Sequence, residues 1–209
     1  MRIVAKRVPR FHKQVLRIGL GFPEPNVVEK GEMPADYKLE DFNLAERFAS
    51  VFRQEHRDIR DTLFELMEGF DCQSLPKIRH CLRRALDIIG PHFRYEEESM
   101  FPALVPLFGP AYVDRLLAEH DSAIGIAIRL DNIAAQTEVS ADDGSRMTAL
   151  IRSRLLPHVS DCDGLSIMVE RLPDETVRQI LRAREQSLRE GLDLFRWATQ
   201  IRKRPAVLA

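Results

Sequence analysis

Four histidines and one glutamate carry the chemistry that this sequence offers. His56, His92, His120 and His158 each fall in a stretch whose apolar residues recur at three- and four-residue steps. Each therefore sits on the buried stripe of a helix. A lone histidine on such a stripe is usually a core residue whose ring is satisfied by a backbone carbonyl. Four that reach the same height can instead face one another. With turns centred near residues 72, 108 and 139, each histidine is about 12 to 20 residues from its turn, or roughly 18 to 30 Å, and partners across a turn differ by at most about 6 Å. The imidazoles can share one layer.

Glu96 follows His92 by one helical turn on the same stripe. An ionised carboxylate there costs several kcal/mol unless it is paired or bound to a metal. The spacing puts the two side chains about 6 Å apart, within reach of one metal or of two bridged ones. The bland reading makes Glu96 the first member of a solvated run, Glu96-Glu97-Glu98. Imidazole with carboxylate suits iron or manganese, whereas a structural zinc site draws more on thiolates. His12 and His80 lie off the pattern and read as surface residues.

The elements that must position these residues follow from the same periodicity. One helix runs through Phe48, Phe52, His56, Ile59 and Leu63 and stops near Gly69; a second opens at Ser74 and Pro76 and carries Ile78, Leu82, His92, Glu96 and Met100. A link with Pro106, Gly109 and Pro110 leads to a third, through Val113, Leu116, His120 and Ile124. The polar stretch Thr137 to Ser145 precedes the fourth, through Met147, Ile151, Leu155, His158 and Cys162. No β-type alternation competes, so the chain reads as all-α. Short connections favour an up-down-up-down four-helix bundle. Residues 1–41, with Pro23, Pro25, Gly31 and Pro34, form an irregular arm; the bundle occupies 42–170; an extra C-terminal helix and tail occupy 171–209. That helix spans Asp174 to Lys203 with Val177, Leu181, Leu188, Leu192 and Phe195 on one side, a face expected to cover the bundle or to pair with a second copy.

A weak internal repeat supports this division. Glu55-His56 is followed 36 residues later by Pro91-His92, and Glu119-His120 is followed 38 later by Pro157-His158. The bundle reads as two copies of one helical hairpin, with a site around a pseudo-twofold axis.

Composition narrows the function classes. A chain of 209 residues, 44% hydrophobic and with a formal net charge of −1, can bury a sizeable core. It lacks the basic field that general nucleic-acid binding requires, and no apolar run approaches the roughly 20 residues of a membrane span. Arg2, Lys6, Arg7, Arg10, Lys13 and Arg17 make the start basic, but no apolar run follows as in a signal peptide, and a basic arm is preferred over a transit peptide. Cys72, Cys81 and Cys162, odd in number and without CxxC spacing, suit free thiols in the cytoplasm.

The segment His92-Phe93-Arg94-Tyr95-Glu96-Glu97, running into Met100-Phe101-Pro102, resembles the second-helix pattern of the hemerythrin-like, or HHE cation-binding, family. Glu55-His56 and Glu119-His120 are similar to its first and third helices, and the likeness covers about residues 42–170. It implies two non-haem irons bridged by carboxylates, with manganese and zinc ranked behind iron. It also implies a protein that binds or senses oxygen, nitric oxide, peroxide or iron itself. A di-iron enzyme reducing peroxide or nitric oxide, and a metal-free interaction module, are the alternatives, and a binding role is preferred over an enzymatic one. Two positions depart from the pattern. Ile124 stands where oxygen carriers of the family have a further histidine, and Cys162 where one common pattern has glutamate. The family's other pattern places an aspartate five residues after the fourth-helix histidine, which here is Asp163. Helix geometry alone favours Asp161, about 60° from His158 against about 140° for Asp163. The expected ligand set is His56, His92, Glu96, His120, His158 and Asp163, with Asp161 as the fallback; Pro157 and Gly164 are expected to distort the turn that brings Asp163 inward.

Overall fold

The computed structural model describes residues 43–204; the basic arm and His12 lie outside that range. Among the described residues there are helices and no strands. Helix α1 (Leu44–Asp71) starts where the Asn43 side chain accepts the Ala45 N–H at 3.0 Å. Helix α2 (Leu75–Tyr95) carries an early proline, Pro76, where no N–H is needed. It continues through a π-turn (Glu96–Met100) into α3 (Phe101–Phe108), so the link expected at Pro106 shrinks to Gly109 alone, whose φ of +80° reverses the chain. Helix α4 (Pro110–Ala134) follows. Helix α5 (Ala141–Leu150), capped by Ser140, passes through a second π-turn (Ile151–Leu155) into α6 (Leu156–Asp163) and the single turn α7 (Ser166–Val169).

The two π-turns share one cause. Each ends two residues before a proline, Pro102 or Pro157. A proline ring lacks the N–H and clashes with the carbonyl four residues back, so the turn before it widens. The carbonyls of Glu96 and Ile151 then accept from the fifth residue onward, Phe101 and Leu156. This corrects the expected place of the distortion in the fourth helix. It precedes Pro157 and leaves Leu156–Asp163 α-helical.

The apolar interior falls into two clusters. One contains Ile59, Leu63, Leu66, Leu82, Phe93, Ile124, Leu155 and Val159; the other contains Phe48, Phe52, Tyr95, Met100, Phe101, Leu116, Cys162 and Leu165. On α1, α4 and α6 the histidine falls between a residue of one cluster and a residue of the other: Phe52-His56-Ile59, Leu116-His120-Ala123, Leu155-His158-Cys162. On α2, His92 stands among Phe93 of the first cluster and Tyr95 of the second. The four histidines therefore form one polar layer between two apolar ones.

The C-terminal stretch is two helices: α8 (Asp174–Glu190) and α9 (Leu194–Gln200). Gly191, at φ +56°, ends α8, and the Asp193 side chain starts α9 by accepting the Arg196 N–H. The break alters the expected single face. Val177, Ile180, Leu181, Leu194 and Trp197 are buried in the same two core clusters, and Leu188 is exposed.

Candidate metal centre

Each histidine of the layer has its Nδ1 engaged, which leaves Nε2 for a cation. His56 Nδ1–H donates to the Phe52 carbonyl at 2.9 Å, one turn back on α1. The other three donate to carboxylates from neighbouring helices or turns: His92 to Glu55 at 2.9 Å, His120 to Glu97 at 2.9 Å, and His158 to Glu119 at 3.0 Å. Such partners fix the tautomer and ring orientation of metal-ligating histidines and raise their basicity. The internal repeat now has a physical reason. The glutamate preceding the first histidine of each hairpin orients the second histidine of that hairpin.

Glu96 lies at the middle of the layer, fully buried. Its Oε1 is 3.4 Å from His92 Nε2 and its Oε2 is 3.3 Å from His120 Nε2. The carboxylate thus stands between a His56–His92 pair, ring centroids 4.6 Å apart, and a His120–His158 pair at 5.1 Å. Cys162 S–H donates to Glu96 Oε1 at 3.1 Å. Glu96 Oε2 and His120 Nε2 have no hydrogen-bond partner. Two buried polar atoms left unpaired at 3.3 Å are costly unless something else serves them. His56, His92 and Glu96 also offer ligand atoms that all lie within 4.8 Å of one another. The donor set, imidazole nitrogen with carboxylate oxygen, fits a first-row divalent cation.

The charges point the same way. Burial opposes ionising Glu96, yet His92 and His120 beside it hold its carboxyl well below the usual carboxylate range. Burial would lower His92, but Glu96 and Glu55 outweigh it and push its pKa up to about 10. His56, hydrogen-bonded only to a backbone carbonyl, is driven down to about 4, mainly by burial and then by the charge of His92. Burial and Glu96 together raise the Cys162 thiol well above its ordinary value. The layer's negative centre demands positive charge, which protons or a metal can supply.

The fourth-helix aspartates stand differently. Asp163 is half-buried at the end of α6, Asp161 is exposed, and the side chain that reaches Glu96 from this helix is that of Cys162 between them. Sequence reasoning gave no role to Glu55, Glu97, Glu119 or Tyr95. Glu55 and Glu119 were visible as the repeated Glu-His pair. Tyr95 O–H donates to Glu55 at 2.6 Å, a contact that no spacing rule foretells. His80 is exposed, as expected for a residue off the stripe. A cavity of about 30 Å³, walled mainly by apolar side chains such as Ile59, Leu63 and Phe93, opens against His56, His92 and His158.

A buried layer of oriented imidazoles around a central carboxylate, inside a helical protein, defines a cation-binding domain. The hemerythrin HHE cation binding domain family matches residues 47–165, more than half of the chain, and the chain belongs to that family. No curated protein and no solved structure matches it. No described helix is long and apolar enough to cross a membrane.

Proposed function

We propose that this chain is a non-haem di-iron protein that binds or senses oxygen, nitric oxide, peroxide or iron itself. The observation that carries the reading is Glu96, buried between two histidine pairs with one oxygen toward each. His56 and His92 would hold one iron and His120 and His158 the other, with Glu96 within reach of both pairs. Asp163 is proposed as the second carboxylate, on the ground that it is the more buried of the two aspartates, with Asp161 as the fallback. The bound irons would supply redox chemistry and an affinity for small ligands. The protein's part is to orient the imidazoles through Glu55, Glu97 and Glu119, and to offer a pocket of one or two small atoms' size. A cavity of about 30 Å³ suits a diatomic molecule or peroxide and nothing much larger. A binding role is preferred over reductive turnover, and assays with peroxide and nitric oxide would expose turnover.

The order in which the helices cross the two apolar clusters supports an up-down-up-down course. α1 runs from the Phe48 cluster to the Leu66 cluster, α2 with α3 returns, α4 goes down again, and α5 with α6 comes back. Three unpaired cysteines support a cytoplasmic setting. A homodimer through the C-terminal helices would use Leu188 and Ile201, which are exposed, because Val177 and Leu181 of the expected face are buried in the chain's own core.

The test is metal content. The full chain, loaded with ferrous iron without oxygen and freed of excess, should retain about two irons, and His92→Ala or His158→Ala should lower the load and the melting temperature together. A wild-type chain that retains none removes the proposal.

A further inference from the structure

We propose that the C-terminal helices belong to the metal centre, through Arg184 and Arg202 acting as positioning residues for His92 and His120; this rests on the reading of the histidines as metal ligands. Both arginines lie outside the residues that match the family. Arg184, on α8, places Nε and Nη2 each 2.7 Å from Glu55 Oε1, while Glu55 Oε2 takes the Nδ1–H of His92 and the hydroxyl of Tyr95. Arg202, just past α9, spans both oxygens of Glu97, Nε to Oε2 at 3.0 Å and Nη2 to Oε1 at 2.8 Å, and that same Oε1 takes the Nδ1–H of His120. Its third nitrogen lies 2.8 Å from Asp121, so its side chain, 1% exposed, is fixed between two carboxylates.

A carboxylate orients an imidazole only if it is itself held, and a guanidinium fork holds both its charge and its plane. Without Arg202, Glu97 would keep one imidazole contact and be free to swing toward solvent. The third orienting carboxylate shows the contrast. Glu119, 36% exposed, faces only the exposed Arg115 at 4.0 Å, which leaves its hold on His158 to that one hydrogen bond. The layer is clamped from the C-terminal segment on one histidine of each pair, His92 and His120, and left without such a clamp at His158.

The experiment uses the full chain with Arg184→Gln, Arg202→Gln, their lysine counterparts, and Arg94→Gln as control. Arg94 ties α2 to α8 through Glu190 and also bonds Glu98, but touches none of the carboxylates that hold histidines. Two quantities are read: the rate at which iron-loaded protein yields metal to a strong chelator, and the downfield Nδ1–H resonances of His92 and His120 in metal-free protein. The expected result is release roughly tenfold faster in both glutamine variants, the low end for outer partners of a metal ligand. The His92 resonance should vanish in Arg184→Gln and the His120 resonance in Arg202→Gln. Arg184→Lys should restore the first, because its contacts converge on one oxygen, and Arg202→Lys should not restore the second, because a point charge cannot span two. Arg94→Gln should lower the melting temperature and alter neither reading. The proposal is overturned if both glutamine variants keep both resonances and release iron within about twofold of wild type, against the tenfold or more that outer-partner loss predicts. If the wild type holds no iron, the di-iron reading falls, and the resonances still decide the arginine contacts.

Discussion

Gly90→Ala tests how closely the C-terminal segment rests on α2. A Cβ at position 90 would lie 2.4 Å from the Leu192 carbonyl oxygen, 2.5 Å from the Asp193 carbonyl carbon and 2.6 Å from the Leu194 nitrogen. All three are backbone atoms, so no rotamer change relieves the contact, and the segment between α8 and α9 must move bodily. Gly90 lies inside α2, where glycine-to-alanine in a free helix would stabilise by about 1 kcal/mol. Overpacking costs about 1–3 kcal/mol, and rigid neighbours put this site at the upper end. The net expectation is a loss of about 2 kcal/mol, or a melting temperature lower by about 4–8 °C for a chain of this size. Trp197 makes the assay specific: it is the sole tryptophan, fully buried at the foot of the displaced segment. Its emission should shift to the red in Gly90→Ala at temperatures where the bundle is still helical by circular dichroism. A variant that melts higher with unchanged emission would show helix propensity acting alone and would refute the close approach.

Two further outcomes are expected. Asp163→Asn should release iron and Asp161→Asn should not; the reverse, measured as iron per chain, would transfer the role to Asp161. In the metal-free chain, His56 is held down at about 4 and His92 up at about 10. An unfolded histidine takes its proton near pH 6.5, so the first contribution is lost as pH falls from about 6.5 to about 4, and the second as pH rises from about 6.5 to about 10. Denaturation midpoints of the metal-free chain should therefore peak near pH 6.5, with losses of a few kcal/mol on either side; a flat profile between those limits would contradict the assignment.

The helical character and the shared layer were legible because both follow from one periodicity. A residue at the right phase of a 3.6-residue repeat must face the core, whatever its chemistry. His56, His92, His120, His158 and Glu96 declared themselves as polar residues at apolar phases, and all five are buried. The π-turns were not legible as such. Pro157 announced a disturbance, but periodicity does not say on which side of the proline the helix gives way. The physical answer is the N-terminal side, where the ring meets the carbonyl of the preceding turn. That side matters at the site: the widened turn before Pro102 begins at Glu96 itself, one helical turn after His92, and the one before Pro157 ends three residues before His158.

The orienting residues escaped for a different reason. Glu55, Glu97 and Glu119 each occupy the position next to a histidine or to Glu96, about 100° around the helix from the core-facing direction. By pattern alone they are ordinary solvent-side acids, and each acts on a histidine of a different segment. Only the doubled Glu-His pair hinted at them, since a symmetric site needs its supports repeated along with its ligands. Arg184 and Arg202 have no such echo. They come from a segment with no counterpart in the other hairpin, and they look like two of many arginines on an amphipathic tail. Their partners are set by where α8 and α9 cross α2, which Gly90 permits by having no side chain. The support of the histidine layer is therefore asymmetric although the histidines themselves are nearly twofold, and the difference lies in the segment that the internal repeat does not include.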